Sequence, residues 1–488
     1  MIKLVKNELI KAFHKKAVIF LAIFIALFGA LVYFVNKSDL DNAYSSEQMI
    51  ADNEEYLKNL DLSSEIGRQD YISTCSAIES AKFSKEYGDD NWRVYVYDNV
   101  AVYEDQTPYD LVYSYCEATV NNDEEKKEIY LSIIDKFKDE IKNDNWNNYL
   151  NNAIEAKKAE IDMYKEQLKL VSNDLEEKEL KDNIRNAEFD LEGLNYRSKY
   201  NREFDTHESD VISNYVSSAK IYKSMDQNED NYKTIEEKQE FRAAKSEYYL
   251  YKYKVEHELL ENKYDSASNL LAIDFGSQLL FVLIAIIIIA GSIVSDEFNK
   301  GTIKQLLLRP FTRNKILMSK IITSLIMFVL FSIYFAFVDV ILYGLLFGFD
   351  TFNVPVLYFD YANSVVVSHN FITATLINFA CLLPFYLIVL GVCIFVGVVS
   401  QNSTFAIAAG FGVYVVGDIV SAFIDKVNNI WVALIPCNSW DLTQFLYGGI
   451  SNSKYITLGF CLAEDIIIIL GLFVLSFVIF KRINIKNQ

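Results

Sequence analysis

Long apolar runs alternate with charged stretches along this chain. The first run covers residues 17–35, the second begins at Phe275, and four more cover about 316–347, 371–399, 404–423 and 456–480. An α-helix needs about 20 apolar residues to cross a bilayer. The pattern therefore predicts an all-α polytopic membrane protein with six transmembrane helices.

The stretch 36–274, between the first two runs, has a different composition. It contains 54 Asp and Glu residues against 30 Lys and Arg, whereas the remainder of the chain has 11 acidic and 16 basic residues. The net charge of −19 therefore resides in one block. We predict an acidic soluble domain over 36–274, and no nucleic-acid partner.

Apolar residues at heptad spacing predict helices inside this domain. One series is Ile161, Tyr164, Leu168 and Val171; the other is Leu180, Ile184, Ala187, Leu191 and Leu194. Between them, Asp174 with Glu177 resembles a capping box that starts a new helix. The domain is therefore predicted to be mainly helical, with a coiled-coil-like antiparallel hairpin over about 145–200.

The sequence leaves two features of the acidic domain undecided. Residues 92–103 alternate Val with Tyr around Asp98 and Asn99, which fits a small β-hairpin or the Tyr-rich face of a helix. Cys75 and Cys116 could pair if the domain lies outside the cell, but the sequence does not decide this.

Basic residues flank the apolar runs on one side. They occur in residues 1–16, in the polar segment 296–320 and in the terminal residues 481–488. The positive-inside rule places these three segments in the cytoplasm. We therefore expect a multi-pass plasma-membrane protein with both termini inside, divided into 1–35 (N-terminus and first span), 36–274 (extracellular domain) and 275–488 (five-helix membrane domain).

The polar segment after the second run carries a recognisable pattern. Its apolar residues fall at helical spacing, which predicts a short amphipathic helix over about 297–314. The pattern E-x-x-x-G-T … P-x-x-R … K resembles the coupling helix of type-2 ABC exporter permeases. Its residues here are Glu297, Gly301, Thr302, Leu306, Leu307, Pro310, Arg313 and Lys320.

This resemblance implies a function. In that family the coupling helix rests on a separate cytoplasmic ABC ATPase subunit, and the permease works as a homodimer or pairs with a related permease in the membrane lipid. It would export a peptide, drug, ion or lipid-linked molecule. No G-x-x-x-x-G-K-[ST] motif occurs in the chain, so ATP and Mg²⁺ are expected on the partner subunit, with no cofactor and no enzymatic activity in this chain.

Four carboxylates interrupt the later apolar runs: Asp339, Asp418, Glu464 and Asp465. A charge in the hydrocarbon region is costly, so such residues normally face protein or water. They are candidates for the lining of a translocation path. The alternative is that they lie near the outer ends of their spans and reach interfacial water. The sequence shows no cluster of metal ligands.

The long acidic insertion departs from compact members of the exporter family. Membrane proteins of the phage-infection-protein type also have one span, a long helical outer domain and five further spans. A surface receptor or secretion-system scaffold of that type is therefore the alternative function.

Overall fold

The computed structural model describes residues 1–483 apart from 17, 28–45, 89–90, 101–105, 205–209, 261–265, 304, 306–310, 425–430, 432–433, 452 and 454. Within this part, the chain is built almost entirely of helices. They are α1 (Ile2–Phe13), α2 (Val18–Leu27), α3 (Ser46–Lys58), α4 (Glu65–Tyr87), α5 (Trp92–Asn99), α6 (Pro108–Val120), α7 (Glu124–Asn143), α8 (Trp146–Leu168), α9 (Asp174–Tyr200), α10 (Val211–Ser224), α11 (Ile235–Glu256), α12 (Ala267–Gln278), α13 (Leu280–Asn299), α14 (Arg313–Phe347), α15 (Phe371–Ser400), α16 (Ser403–Ile424) and α17 (Leu458–Arg482).

The chain divides into two compact units. The bundle unit comprises Met1–Lys37, Glu229–Arg242 and Lys263–Gln488, and the acidic unit comprises Ser38–Asn228 and Ala243–Asn262. Each unit has its own hydrophobic core.

The antiparallel hairpin predicted in the acidic unit is present as α8 and α9. Lys157 pairs with Asp190 and Lys165 with Glu188, so residue numbers rise along one helix as they fall along the other. The N-cap of the second helix lies one residue before the predicted cap: the side chain of Asn173 accepts a hydrogen bond from the Leu175 amide. Asn173 thus caps the first turn in place of Asp174.

The interpretation of residues 92–103 as a β-hairpin is wrong over the described residues. Residues Trp92–Asn99 form α5, started by the Asn91 side chain, which accepts from the Arg93 amide. Trp92, Val94, Val96 and Tyr97 are all buried in the core of the acidic unit. Burial on more than one side overrides the strand preference of Val and Tyr.

A disulfide joins Cys75 on α4 to Cys116 on α6, which answers the question left open by the sequence. The second of these helices starts with a complete capping box between Thr107 and Asp110, and Pro108 occupies its first turn. The bond closes a chain segment of 41 residues.

Four helices of the bundle unit are long and apolar enough to cross a membrane: α13, α14, α15 and α17. Side chains just before the last three provide their N-caps, from Thr312, Asn370 and Thr457. The first and fifth predicted spans correspond to α2 and α16, whose apolar stretches Val18–Leu27 and Ser403–Gly417 are shorter than those of the other four. The count of six spans therefore stays a prediction.

Helix α13 lies at the centre of the bundle and packs against α14, α15 and α16. Glycines allow this close approach, because a Cβ at Gly291 would meet Ile407 and one at Gly397 would meet the Ser295 hydroxyl. Most of the α13 side chains are buried by the three neighbours. The helix therefore provides a fixed support for the segment that follows Asn299.

The bundle unit also contains one element that the all-α prediction missed. Val356–Asp360 and Val365–His369 form an antiparallel two-stranded hairpin, with Val356 opposite His369. The turn between them places Ser364 in the left-handed backbone region. The hairpin lies between α14 and α15, where the sequence pattern predicted no strand.

We expect replacement of both Cys75 and Cys116 by Ser to lower the free energy of unfolding of the acidic unit by about 2 to 4 kcal/mol, because the unfolded chain regains the entropy of a 41-residue loop. Proteolysis of the full chain in increasing urea would measure this. Reducing agent should destabilise the wild type to the same extent and leave the double variant unchanged. Equal resistance of all samples would contradict the prediction.

Candidate functional site

The E-x-x-x-G-T pattern forms one compact turn at the end of α13. Gly301 has a φ of +66°, and a Cβ there would meet nothing within 4 Å, so backbone conformation rather than space favours glycine. The turn brings the Thr302 hydroxyl back to the Glu297 carboxylate, to which it donates. The spacing of the motif therefore reflects a left-handed helix end that fixes the orientation of Glu297.

Behind this turn lies a buried lysine on the next span. Lys320 is only 1% exposed, and its Nζ lies 3.0 Å from Glu8 Oε2 and 2.7 Å from the Ile293 carbonyl oxygen. The Glu297 Oε1 atom is 3.5 Å away. All three donors of the ammonium can therefore be satisfied, which is the condition under which a buried charge is tolerated.

The N-terminal helix supplies the other half of the network. Lys11 Nζ lies 2.8 Å from Glu297 Oε1 and 3.1 Å from Glu8 Oε1. Burial by itself lowers the pKa of Lys11, but the hydrogen bond from its ammonium to Glu297 and the negative charge of Glu8 outweigh it, so the pKa is raised. The Lys11 ammonium thus stays charged and bridges α1 to α13.

A second pair extends this arrangement at the junction of α1 and α2. Lys15 Nζ lies 2.9 Å from Asp296 Oδ2 and 2.8 Å from the Ser292 hydroxyl. We call the six charged residues together the ion network: Glu8, Lys11, Lys15, Asp296, Glu297 and Lys320. It contains three acids and three lysines, so it is neutral as a whole and ties the N-terminal helix to α13 and α14.

Arg313, another residue of the coupling pattern, contacts a different helix. It is the first residue of α14, and its guanidinium donates to the carbonyl oxygens of Lys481 and Ile483 at 3.1 and 2.7 Å. These carbonyls belong to the end of α17, where the last oxygens of a helix lack partners within the helix. Arg313 therefore fastens the C-terminal helix to the start of α14.

The structure places the remaining predicted coupling residues only in part. Leu306, Leu307 and Pro310 lie outside the described residues. Glu297 is described and only 8% exposed. Its carboxylate is directed into the ion network, so it supports the segment from within.

The three described carboxylates of the predicted path, Asp339, Glu464 and Asp465, do not join the ion network. Asp339 is buried on α14, 19 residues after Lys320, which is roughly 28 Å along a helix. Asp465 is buried on α17, and Glu464 lies beside it. Both helices thus carry their acids near the end of the bundle away from the network. The side chain of Asp418, on α16, lies outside the described residues.

The described residues around Asp339 leave one of its oxygens without a donor, since no described group hydrogen-bonds to Oδ2. Nor does any group of three His, Cys, Asp or Glu in the described part of the chain lie close enough together to hold a metal ion.

Sequence reasoning missed the contribution of Glu8 and Lys11. The pairs that they form join residues almost 300 positions apart, which no local spacing reveals. One signal was present: Glu8 is the single acid in residues 1–16 and shares a helical face with Leu4 and Ala12, both buried. An acid on a buried face predicts a partner cation.

Comparisons with known proteins give a family and two relatives. Residues 234–486, just over half of the chain, match the family described as "Protein of unknown function (DUF2705)". An uncharacterized protein of Bacillus subtilis, YhcI, is 33% identical over 205 residues, which are 41% of this chain and 64% of that relative. The uncharacterized membrane protein YdbK of the same organism is 50% identical over 62 residues, 12% of this chain and 24% of the relative.

The chain therefore spans less than two thirds of the length of either relative. No solved structure matches it. The four long apolar helices, together with a relative named as a membrane protein, indicate a membrane protein.

We expect Lys320→Ala to lower the free energy of unfolding by about 3 to 5 kcal/mol, because it leaves the buried Glu8 and Glu297 carboxylates short of a cation. Thermal unfolding of the purified chain in detergent would measure the loss. Lys300→Ala is the matched control: Lys300 is 69% exposed and 3.9 Å from Asp296, so the change should be within about 0.5 kcal/mol. Equal effects of the two substitutions would contradict a structural role for the network.

Proposed function

Since the chain belongs to a family of unknown function (DUF2705), whose description names no activity, we propose from its own residues that it is the membrane permease subunit of an ATP-driven ABC exporter. A separate cytoplasmic ATPase would bind ATP and Mg²⁺. The substrate would be a peptide, drug, ion or lipid-linked molecule that leaves the cell through a dimer of permeases.

The observation that carries the proposal is the anchored turn between two long apolar helices. A segment that transmits motion from an ATPase has to be attached rigidly to the spans that it moves. Here the segment leaves α13 through the Gly301 turn, and Glu297 beneath it is bound by Lys11 and Lys320. It enters α14 at Arg313, which holds the end of α17. Both ends of the segment are thus fixed to the bundle.

A receptor or scaffold has no need for such an attachment. What supports the exporter over the phage-infection-protein type is therefore the construction of this turn, in addition to the motif itself. Under the proposal, Leu306, Leu307 and Pro310 form the surface on which the ATPase rests, and the neighbouring Glu297, Gly301, Thr302 and Arg313 position that surface. The carboxylates Asp339, Asp418, Glu464 and Asp465 would lie towards the outer end of the path.

The proposed topology places the ion network at the cytoplasmic end of the bundle and residues 36–274 outside the cell. Two features support it: basic residues gather around the network end of the bundle, and the acidic unit contains a disulfide, a bond that persists in oxidising compartments.

Leu306→Asp combined with Leu307→Asp should abolish docking of the ATPase, since two charges would replace the apolar contact. The tagged full chain would be purified from its own cells, and a co-purified subunit would be identified by its P-loop motif and its ATP hydrolysis. The matched control is Leu170→Asp with Leu175→Asp, because these two leucines are 86% and 75% exposed in the acidic unit. We expect the ATPase with the wild type and the control, and not with the first variant.

Absence of a P-loop subunit from the wild-type preparation would count against the exporter and favour the receptor or scaffold. An ATPase that stays bound to the Leu306→Asp, Leu307→Asp variant would remove the docking surface from this segment.

Two lysines of matched exposure test the topology. Lys169 in the acidic unit is 67% exposed and Lys300 at the network end is 69% exposed. With Lys169→Cys, a membrane-impermeant maleimide should label intact cells. With Lys300→Cys, it should label only after permeabilisation. The reverse pattern would overturn the proposed orientation.

A further inference from the structure

A polar cleft of about 740 Å³ opens beside the ion network. Its described lining includes the network residues Glu8, Lys11, Lys15, Asp296 and Glu297, and in addition His14, Lys16 and Lys300. Because the network is neutral within itself, these last three residues determine the charge that the cleft presents.

The cations outside the network are open to a ligand. No described residue forms an ion pair with the exposed Lys16, and Lys300 has only a 3.9 Å contact to Asp296. His14 donates through Nδ1 to the Ile10 carbonyl oxygen at 2.7 Å, so the Nε2 of its neutral ring is an acceptor and does not donate to an anion. The cleft thus offers two ammonium groups, which suit a phosphate.

An apolar groove of about 530 Å³ begins at Phe13, a neighbour in sequence of the cleft residues Ala12 and His14. It lies between α2 and α14, and its described lining includes Phe13, Val18, Ala22, Ala26, Phe331 and Tyr334. The one hydroxyl among these is used, since Tyr334 donates to the Ala22 carbonyl oxygen at 3.0 Å. The groove therefore offers no free polar group along its described length, which suits a hydrocarbon chain.

The dimensions of the two spaces fit one molecule. From Val18 to Leu27 the groove extends roughly 14 Å along the helix, close to the thickness of one leaflet, which is half of the roughly 30 Å hydrocarbon core. Both volumes fall within the range of ligand pockets, about 300–1,000 Å³. The two spaces share no lining residue, but they are lined by consecutive residues of the chain: Ala12, His14, Lys15 and Lys16 line the cleft, and Phe13 and Val18 line the groove.

We propose that the cleft and groove together bind one anionic phospholipid, with its phosphate held by Lys16 and Lys300 and an acyl chain between α2 and α14. Basic pockets next to membrane helices are known sites for anionic headgroups. Such a lipid would connect the Lys16 turn to Lys300 at the start of the proposed coupling segment. Its binding is independent of whether an ATPase docks on the chain.

Native mass spectrometry of the purified full chain tests this with two probes, dioleoyl phosphatidylglycerol and dioleoyl phosphatidylcholine. We expect the anionic lipid to bind at least about tenfold more tightly, since one to two lysine contacts are worth this much. Lys16→Gln with Lys300→Gln should weaken phosphatidylglycerol binding roughly 20- to 30-fold and phosphatidylcholine binding less, since the choline cation already offsets the charge of its phosphate. Ala26→Phe, which fills the groove, should weaken both.

Two matched controls separate the site from the general surface. Lys3→Gln with Lys6→Gln removes two other exposed lysines of α1, and Ala380→Phe adds the same bulk on the exposed side of α15. Neither should change lipid affinity. Equal affinity for the two lipids in the wild type, or unchanged phosphatidylglycerol binding in the Lys16→Gln, Lys300→Gln variant, would overturn the proposal.

A free phosphate or a second copy of the chain would give results that differ from those of a bound lipid. Displacement of the lipid by sn-glycerol 3-phosphate at an affinity equal to that of phosphatidylglycerol would show a site for a free phosphate, with no part for the groove. Loss of self-association in Ala26→Phe with unchanged lipid binding would show that a second copy of the chain covers the groove. Either result contradicts a bound lipid, whereas failure of the soluble phosphate to compete supports it.

Discussion

The bundle unit depends on one buried lysine. Lys320 is almost fully enclosed, and it can remain charged there only because Glu8, Glu297 and the Ile293 carbonyl surround its ammonium. Glu8 belongs to the N-terminal helix, whereas Ile293 and Glu297 lie about one turn apart on α13. The lysine therefore requires α1 to lie against α13 and α14, and an apolar core alone would not define this position.

A neutral pair of apolar side chains could give similar stability at this place, since buried ion pairs often contribute little net free energy. What the charges add is a fixed geometry. Glu297 accepts from Lys11 and Thr302 and faces Lys320, so displacement of any one element leaves an unpaired charge in the others. This restriction suits a connection that has to hold its angle under force, more than one that has only to be stable.

The sequence predicted those parts of the fold that depend on the spacing of residues close together in the chain. The long apolar helices and the α8–α9 hairpin follow from residues a few positions apart. The turn at Gly301 was not predicted, because residues 297–314 were expected to form one amphipathic helix. Pairings across the chain were not accessible in this way, which is why Glu8 was passed over although it interrupts a buried face. The strand hairpin at 356–369 was missed because a short alternating segment between two spans was taken for a simple connection. Over 92–99 the error was the reverse: Val and Tyr favoured a strand, and burial among neighbouring helices produced a helix.

The same arrangement bears on how the proposed coupling segment would act. A force applied between Gly301 and Thr312 reaches α13 through Glu297 and reaches α14 and α17 through Arg313. Lys11 and Lys15 extend the first route to α1 and the start of α2, so five helices would respond as one body at this end of the bundle. The far end of α14 carries Asp339, a buried acid to whose Oδ2 no described group donates a hydrogen bond. If the near ends move together as a rigid unit, the opening of a path falls to the far end of α14, where this carboxylate is less firmly held.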